Sequence, residues 1–169
     1  MKQLISACIL ILSSISCNEH KEVSSVDLVN WEKRTVGFTL NDSLEFGTTY
    51  LSVYSQIYSI TEHKTHDLTA TISMRNTNKA DTIFIEKAEY FDTKGKSIRT
   101  YFNKPIYLAP METVEIVIAE LDKEGGTGAN FIFDWKIRPS SNEPLFEGVM
   151  ISTSGQQGLS FTTQGKRIN

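Results

Sequence analysis

Between Leu68 and Arg75, the apolar residues Leu68, Ala70, Ile72 and Met74 alternate strictly with Thr69, Thr71, Ser73 and Arg75. A period of two sends the first set to one face of a pleated strand and the second set to the other. The same alternation returns in Val114, Ile116 and Ile118. It appears again in Phe131, Phe133, Trp135 and Ile137, with Asp134, Lys136 and Arg138 in the opposite phase. No stretch of comparable length keeps a helical period. Such a chain makes half-buried strands whose apolar faces must be covered by another sheet.

The segment from Asp81 to Asp92 changes phase partway: Ile83 and Ile85 share one parity, Ala88 and Tyr90 the other. An extra residue near Glu86 and Lys87, a β-bulge, reconciles the two. The following Asp92-Thr93-Lys94-Gly95-Lys96 combines an aspartate that bonds the turn backbone with a glycine for positive φ, so the strands around it pair antiparallel. Pro105 and Pro110 bracket Ile106 to Ala109, which fits an edge strand or a crossing segment and not a central strand. About seven short strands without intervening helices predict an antiparallel two-sheet sandwich of immunoglobulin-like kind, with a small closed β-barrel as the alternative. The expected division is 1–16, 17–47 and 48–169, the last being the β-domain. Val26, Leu28, Val29 and Trp31 in the lead-in fit either a helical turn or a strand.

The chain opens MKQLISACILILSSISC, with Lys2 ahead of a short apolar run and small residues before Cys17. This is signal-peptide architecture, and the run is about half of the roughly 20 residues a membrane-spanning helix needs. The residues before Cys17 resemble the lipobox of bacterial lipoproteins, with Ser14 where leucine is usual. The resemblance implies that residues 1–16 are removed and that Cys17 is acylated and anchors the protein to a membrane of the cell envelope, facing the periplasm or the surface. Asn18 to Ser25 is polar and aperiodic, a tether between anchor and domain. Acidic residues just behind the cysteine resemble surface-export signals.

Cys8 is the only other cysteine and lies in the removable segment, so the mature chain has no disulfide and must rely on core burial. The formal charge is −3, and removal of Lys2 makes it −4. That balance gives nucleic acid no electrostatic footing.

The stretches VYSQIY (53–58), LTATISMRNT (68–77), YFDTKGK (90–96), LAPMETVE (108–115), GGTGANF (125–131) and SGQQGLSFTTQGK (154–166) resemble a bacterial family known as domain of unknown function 3124. The resemblance covers about Leu44 to Ile168. It implies an exported bacterial domain and carries no activity, cofactor or site residue.

Candidate chemistry is sparse. EGGTGANF, from Glu124 to Phe131, lacks the Gly-Lys-Ser/Thr ending and the following helix of a phosphate loop. It reads as a connection between antiparallel strands, with Thr127 and Asn130 available to a ligand or partner. Glu120, Asp122 and Glu124 do not follow the spacing of a calcium loop. Gln156, Gln157 and Ser160 form a second candidate contact set, because glutamine amides both donate and accept. Trp135 falls on the core phase. His63 and His66, placed in a loop before the Leu68 strand, would begin a metal site or serve a small hydrolase. No third metal ligand and no Gly-x-Ser-x-Gly elbow accompanies them. The expectation is a non-catalytic envelope lipoprotein without cofactor that binds another envelope protein or a polysaccharide. The alternative is the hydrolase or metal-handling protein built on His63 and His66.

Overall fold

The alternating segments build a sandwich of two antiparallel sheets. A computed structural model describes residues 29–37, 43–153 and 158–169. The expected signal peptide, Cys17 and the pair Gln156 and Gln157 lie outside the described residues.

The strands are β1 (Glu45–Val53), β2 (Gln56–Ser59), β3 (Thr61–Asp67), β4 (Thr69–Arg75), β5 (Ile83–Phe91), β6 (Ser97–Thr100), β7 (Ile106–Leu108), β8 (Thr113–Ile118), β9 (Ala129–Ile137), β10 (Leu145–Ser152), β11 (Leu159–Gln164) and β12 (Lys166–Arg167). The first sheet runs β12-β1-β9-β5-β6, with β7 also on β5, and the second runs β11-β10-β4-β8. β2 and β3 form a separate hairpin. All pairings are antiparallel, and neither main sheet closes into a barrel. β1 begins at Glu45, ahead of the expected domain start at residue 48.

The pleat decides the core. Leu68, Ala70, Ile72 and Met74 meet Phe131, Phe133, Trp135 and Ile137 in one buried cluster, while the intervening residues face outward. Phe131, Phe133 and Phe146 stack through this core with centroid separations of 5.4 and 4.2 Å. Burying such rings contributes about 2 kcal/mol each. Trp135 is wholly buried and donates its indole N–H to Thr49 Oγ1 at 2.9 Å, so its polar atom is satisfied.

The phase change in β5 is a bulge, with the β5–β9 register shifting between Ile85 and Lys87. In the 92–96 turn the Asp92 carboxylate accepts from the amides of Lys94 and Lys96, both at 2.8 Å, and Gly95 has φ +77°. β7, between the two prolines, is an edge strand on β5. Ahead of β1, Glu32–Arg34 is a single 3-10 turn, and Val29 and Trp31 pack on the core. Among the described residues no helix is long and apolar enough to cross a membrane.

Candidate functional site

Strand directions define two ends. β1, β5, β8 and β10 finish, and β4, β9 and β11 start, at the same end, because Leu68 donates its amide to Ser55 O at 2.9 Å where β1 gives way to the hairpin. This end carries the β2–β3 hairpin, the 92–96 turn, the 119–128 loop and the β10–β11 connection. Glycine-rich 125–128 and the start of β11 at Leu159 therefore share one end.

The EGGTGANF loop joins two oppositely directed strands, as expected, but those strands are not paired with each other. β8 and β9 belong to different sheets, so the segment crosses between sheets and does not close a hairpin. Thr93 pins it, donating its hydroxyl to Gly125 O at 3.0 Å and accepting from the Gly128 amide at 3.0 Å. From the other side Gln56 N and Ser55 Oγ both reach Gly126 O, at 3.1 and 3.2 Å. Gly126 sits at φ +70°, a region that side chains resist. Gly125 is required by contact: a Cβ there would stand 1.9 Å from the Tyr90 hydroxyl.

That hydroxyl is wholly buried and makes no hydrogen bond among the described residues. Burial pushes the Tyr90 phenol up to about 12. Ser55 stands close enough to oppose part of the rise, but its own hydroxyl is given to Gly126.

The hairpin is fastened to the same loop. Lys123 Nζ lies 2.6 Å from Asp67, and Gln56 Nε2 donates to the same carboxylate at 2.8 Å. The Lys123 and Gln56 hydrogen bonds hold the Asp67 carboxyl below its usual range. Arg99 meets Asp122 at 3.0 Å and Glu124 at 3.6 Å, so these two acids face a guanidinium.

Two of the expected contact residues, Asn130 and Ser160, do not converge. Asn130 lies within β9 between buried Ala129 and Phe131, which turns it to the outer face of the first sheet beside Ser52 and Phe91. Ser160 lies opposite Ile151 on the outer face of the second sheet. Two side chains on opposite outer faces do not meet one small ligand. Thr127 alone remains in the loop.

His63 and His66 are in strand β3, not in a loop. Tyr58 pairs with Thr65 but Ser59 with Thr61, so Glu62 to Lys64 bulge out of the ladder and carry His63 with them. His63 lies 3.2 Å from Glu62, while His66 stays in the ladder opposite Ile57. No group of three His, Cys, Asp or Glu side chains poised for a metal occurs among the described residues.

Sequence reasoning missed the apolar character of the loop end. Tyr58 is 61% exposed and Ile60 90% exposed on the hairpin, and Leu121 is 76% exposed on the adjoining loop. Ile60 also takes φ +66°. A β-branched residue at positive φ is an outlier. Its single-residue turn between Ser59 and Thr61 gives no signal in composition.

No curated protein matches the chain in sequence. A solved structure, the crystal structure of Thermotoga maritima 1070, is similar with a TM-score of 0.46 and 8% identity, over 71% of this chain and 92% of that one. A family model described as protein of unknown function, DUF3124, matches residues 46–168, from the second residue of β1 to just past β12, and the chain belongs to that family.

Proposed function

We propose that this protein is a non-catalytic binding module of the bacterial cell envelope, tethered to a membrane through acylated Cys17 and capturing another envelope protein with its loop end. Ile60 carries the reading. An isoleucine at positive φ costs folding energy and its exposure returns none, so its presence at the tip of a fastened hairpin is accounted for by a contact outside the chain. Tyr58 and Leu121 give the same end the aromatic and aliphatic anchors that protein interfaces use. The bonds from Gln56 and Lys123 hold hairpin and loop together and reduce the ordering needed on binding.

A photo-crosslinking amino acid placed singly at Ile60, Leu121 or Met111 in intact cells tests this. Met111 is also exposed but lies in the β7–β8 turn at the opposite end. Discrete adducts from the first two positions and none from Met111 are expected. An identical adduct pattern from all three, or none from Ile60, rejects the reading. The anchor is tested separately: equal incorporation of labelled palmitate by wild type and Cys17→Ala rejects it.

A further inference from the structure

Away from the loop end, the sandwich has a cleft of about 370 Å³ where the chain enters the domain. It is lined by Trp31, Glu32 and Thr35 on one side and by Thr100, Tyr101 and Asn103 to Lys104 on the other, with Phe102 beneath. The first sheet makes this cleft by a gap in its own edge. β6 covers the second half of β5 and β7 covers the first, so residues 101–105 must cross between them. Phe102 drops into the core there, and Trp31 packs on it at 5.2 Å between ring centroids.

The aromatic walls are fixed before any ligand arrives. Tyr101 lies 5.7 Å from Phe131, and its hydroxyl accepts from Arg99 at 3.2 Å. Arg99 is held in turn by Asp122. Trp31 is anchored where Thr35 donates its hydroxyl to Trp31 O and bridges to Ile106 of β7. Rigid rings limit the entropy lost on binding.

Around these rings stand a carboxylate, an ammonium, an amide and two hydroxyls: Glu32, Lys104, Asn103, Thr35 and Thr100. Glu32 and Lys104 cancel in charge, and neither makes an ion pair among the described residues. A neutral ligand suits that balance better than an anion. The volume lies in the range of small-molecule sites, about 300–1,000 Å³, and is too small for a folded partner. A sugar ring has an apolar C–H face for an aromatic wall and a rim of hydroxyls that both donate and accept. We infer that this cleft binds a neutral saccharide, one or two rings of an envelope glycan, with Trp31 and Tyr101 as stacking walls and Glu32, Asn103 and Lys104 as hydrogen-bonding groups.

The proposal does not rest on the loop-end reading and is tested on the full-length chain in detergent. The protein has two tryptophans, and Trp135 is sealed in the core, so a fluorescence change on ligand addition reports Trp31. Titration with the tetramer of N-acetylglucosamine is expected to give a saturable change below about 10 mM, an affinity of ordinary weak-ligand strength. Glu32→Gln and Lys104→Gln should each weaken it about tenfold, and Trp31→Phe should abolish the signal, with the melting temperature of the two polar variants unchanged. Absence of saturation in wild type overturns the proposal. So does saturation that survives both polar variants unaltered, or saturation by triglycine in place of the saccharide.

Discussion

Asn76 at one end of the sandwich and Tyr90 at the other are both buried polar side chains, and their surroundings are opposite. Asn76 Nδ2 reaches the carbonyls of Asp81, Leu108 and Ala109 at 2.7, 3.0 and 3.0 Å, while its Oδ1 accepts from both the amide and the side chain of Asn78. Asn78 passes the network to Asn142, donating to its carbonyl at 2.9 Å and accepting from its amide at 2.7 Å. Three connections, β4–β5, β7–β8 and β9–β10, are thereby locked together, and the Arg34 guanidinium, 2.7 Å from Glu112, holds that carboxyl below its usual range beside them. Tyr90 points its hydroxyl at Gly125 and bonds nothing among the described residues. The first end has its polar groups matched, although Met111 there is also exposed and at φ +61°, whereas the second keeps an orphaned hydroxyl and a β-branched residue, Ile60, at positive φ. Side-chain hydrogen bonding is concentrated at the first end, and the second carries the side chains on which the proposed recognition rests.

Breaking the clamp should have an effect as large as any. Asn76→Ala removes the side-chain bonds to three carbonyls, of which Ala109 O keeps the Glu112 amide, and to the Asn78 amide, and a loss of about 3 kcal/mol is expected in denaturant unfolding. A loss under about 1 kcal/mol would show that water replaces the side chain and that the ends do not differ as described.

At the loop end the corresponding test is steric. Gly125→Ala drives a methyl into the Tyr90 hydroxyl and close to Ala129 Cβ, so about 3 kcal/mol of destabilisation is expected. Tyr90→Phe removes an unbonded hydroxyl and should be nearly neutral. Combined with Gly125→Ala it should recover about 1–2 kcal/mol, since the contacts to Cζ and Ala129 remain. Strict additivity in the double-mutant cycle would mean the two groups are not in contact.

Tyr90 also sets an alkaline limit. Its phenol ionises near 10.0 when unfolded and near 12 when folded. Below the lower value both states are neutral and nothing is lost. Between the two the unfolded chain sheds the proton first, so stability falls as pH rises, by at most about 2.7 kcal/mol. Tyr90→Phe should flatten that part of a pH–stability profile, and an unchanged slope would place the alkaline loss elsewhere.

Much of the fold was legible because the pleat writes itself into sequence. The alternations at Leu68–Arg75 and Phe131–Ile137, the bulge at Glu86–Lys87 and the DTKGK turn all appear where their chemistry placed them. Period two says which face a residue takes but not which strand lies beside it. That is why EGGTGANF reads as a connection between antiparallel strands with no sign that it crosses between sheets, and why nothing showed that the candidate contact residues Asn130 and Ser160 face opposite ways. The clamp was hidden for a related reason: an asparagine in a polar loop looks the same in sequence whether it is solvated or holds three carbonyls. Trp31, in a stretch too short for any period, gave no hint of the cleft.

The smallest predicted effect runs in the opposite direction and bears most directly on the comparison. Ile60→Asn keeps a residue able to occupy left-handed φ and removes the β-branched clash, so a gain of up to about 1 kcal/mol is expected. The clamped end offers no such gain at Asn76, where every substitution loses bonds. If the hairpin tip serves recognition, the stabilised variant should at the same time lose the adducts formed from a crosslinker at Leu121. Stabilisation with undiminished adducts would make the isoleucine a tolerated defect and move the contact surface to the loop alone. Destabilisation would mean that the Ile60 side chain packs within the hairpin, and the two ends would then differ in bonding but not in strain.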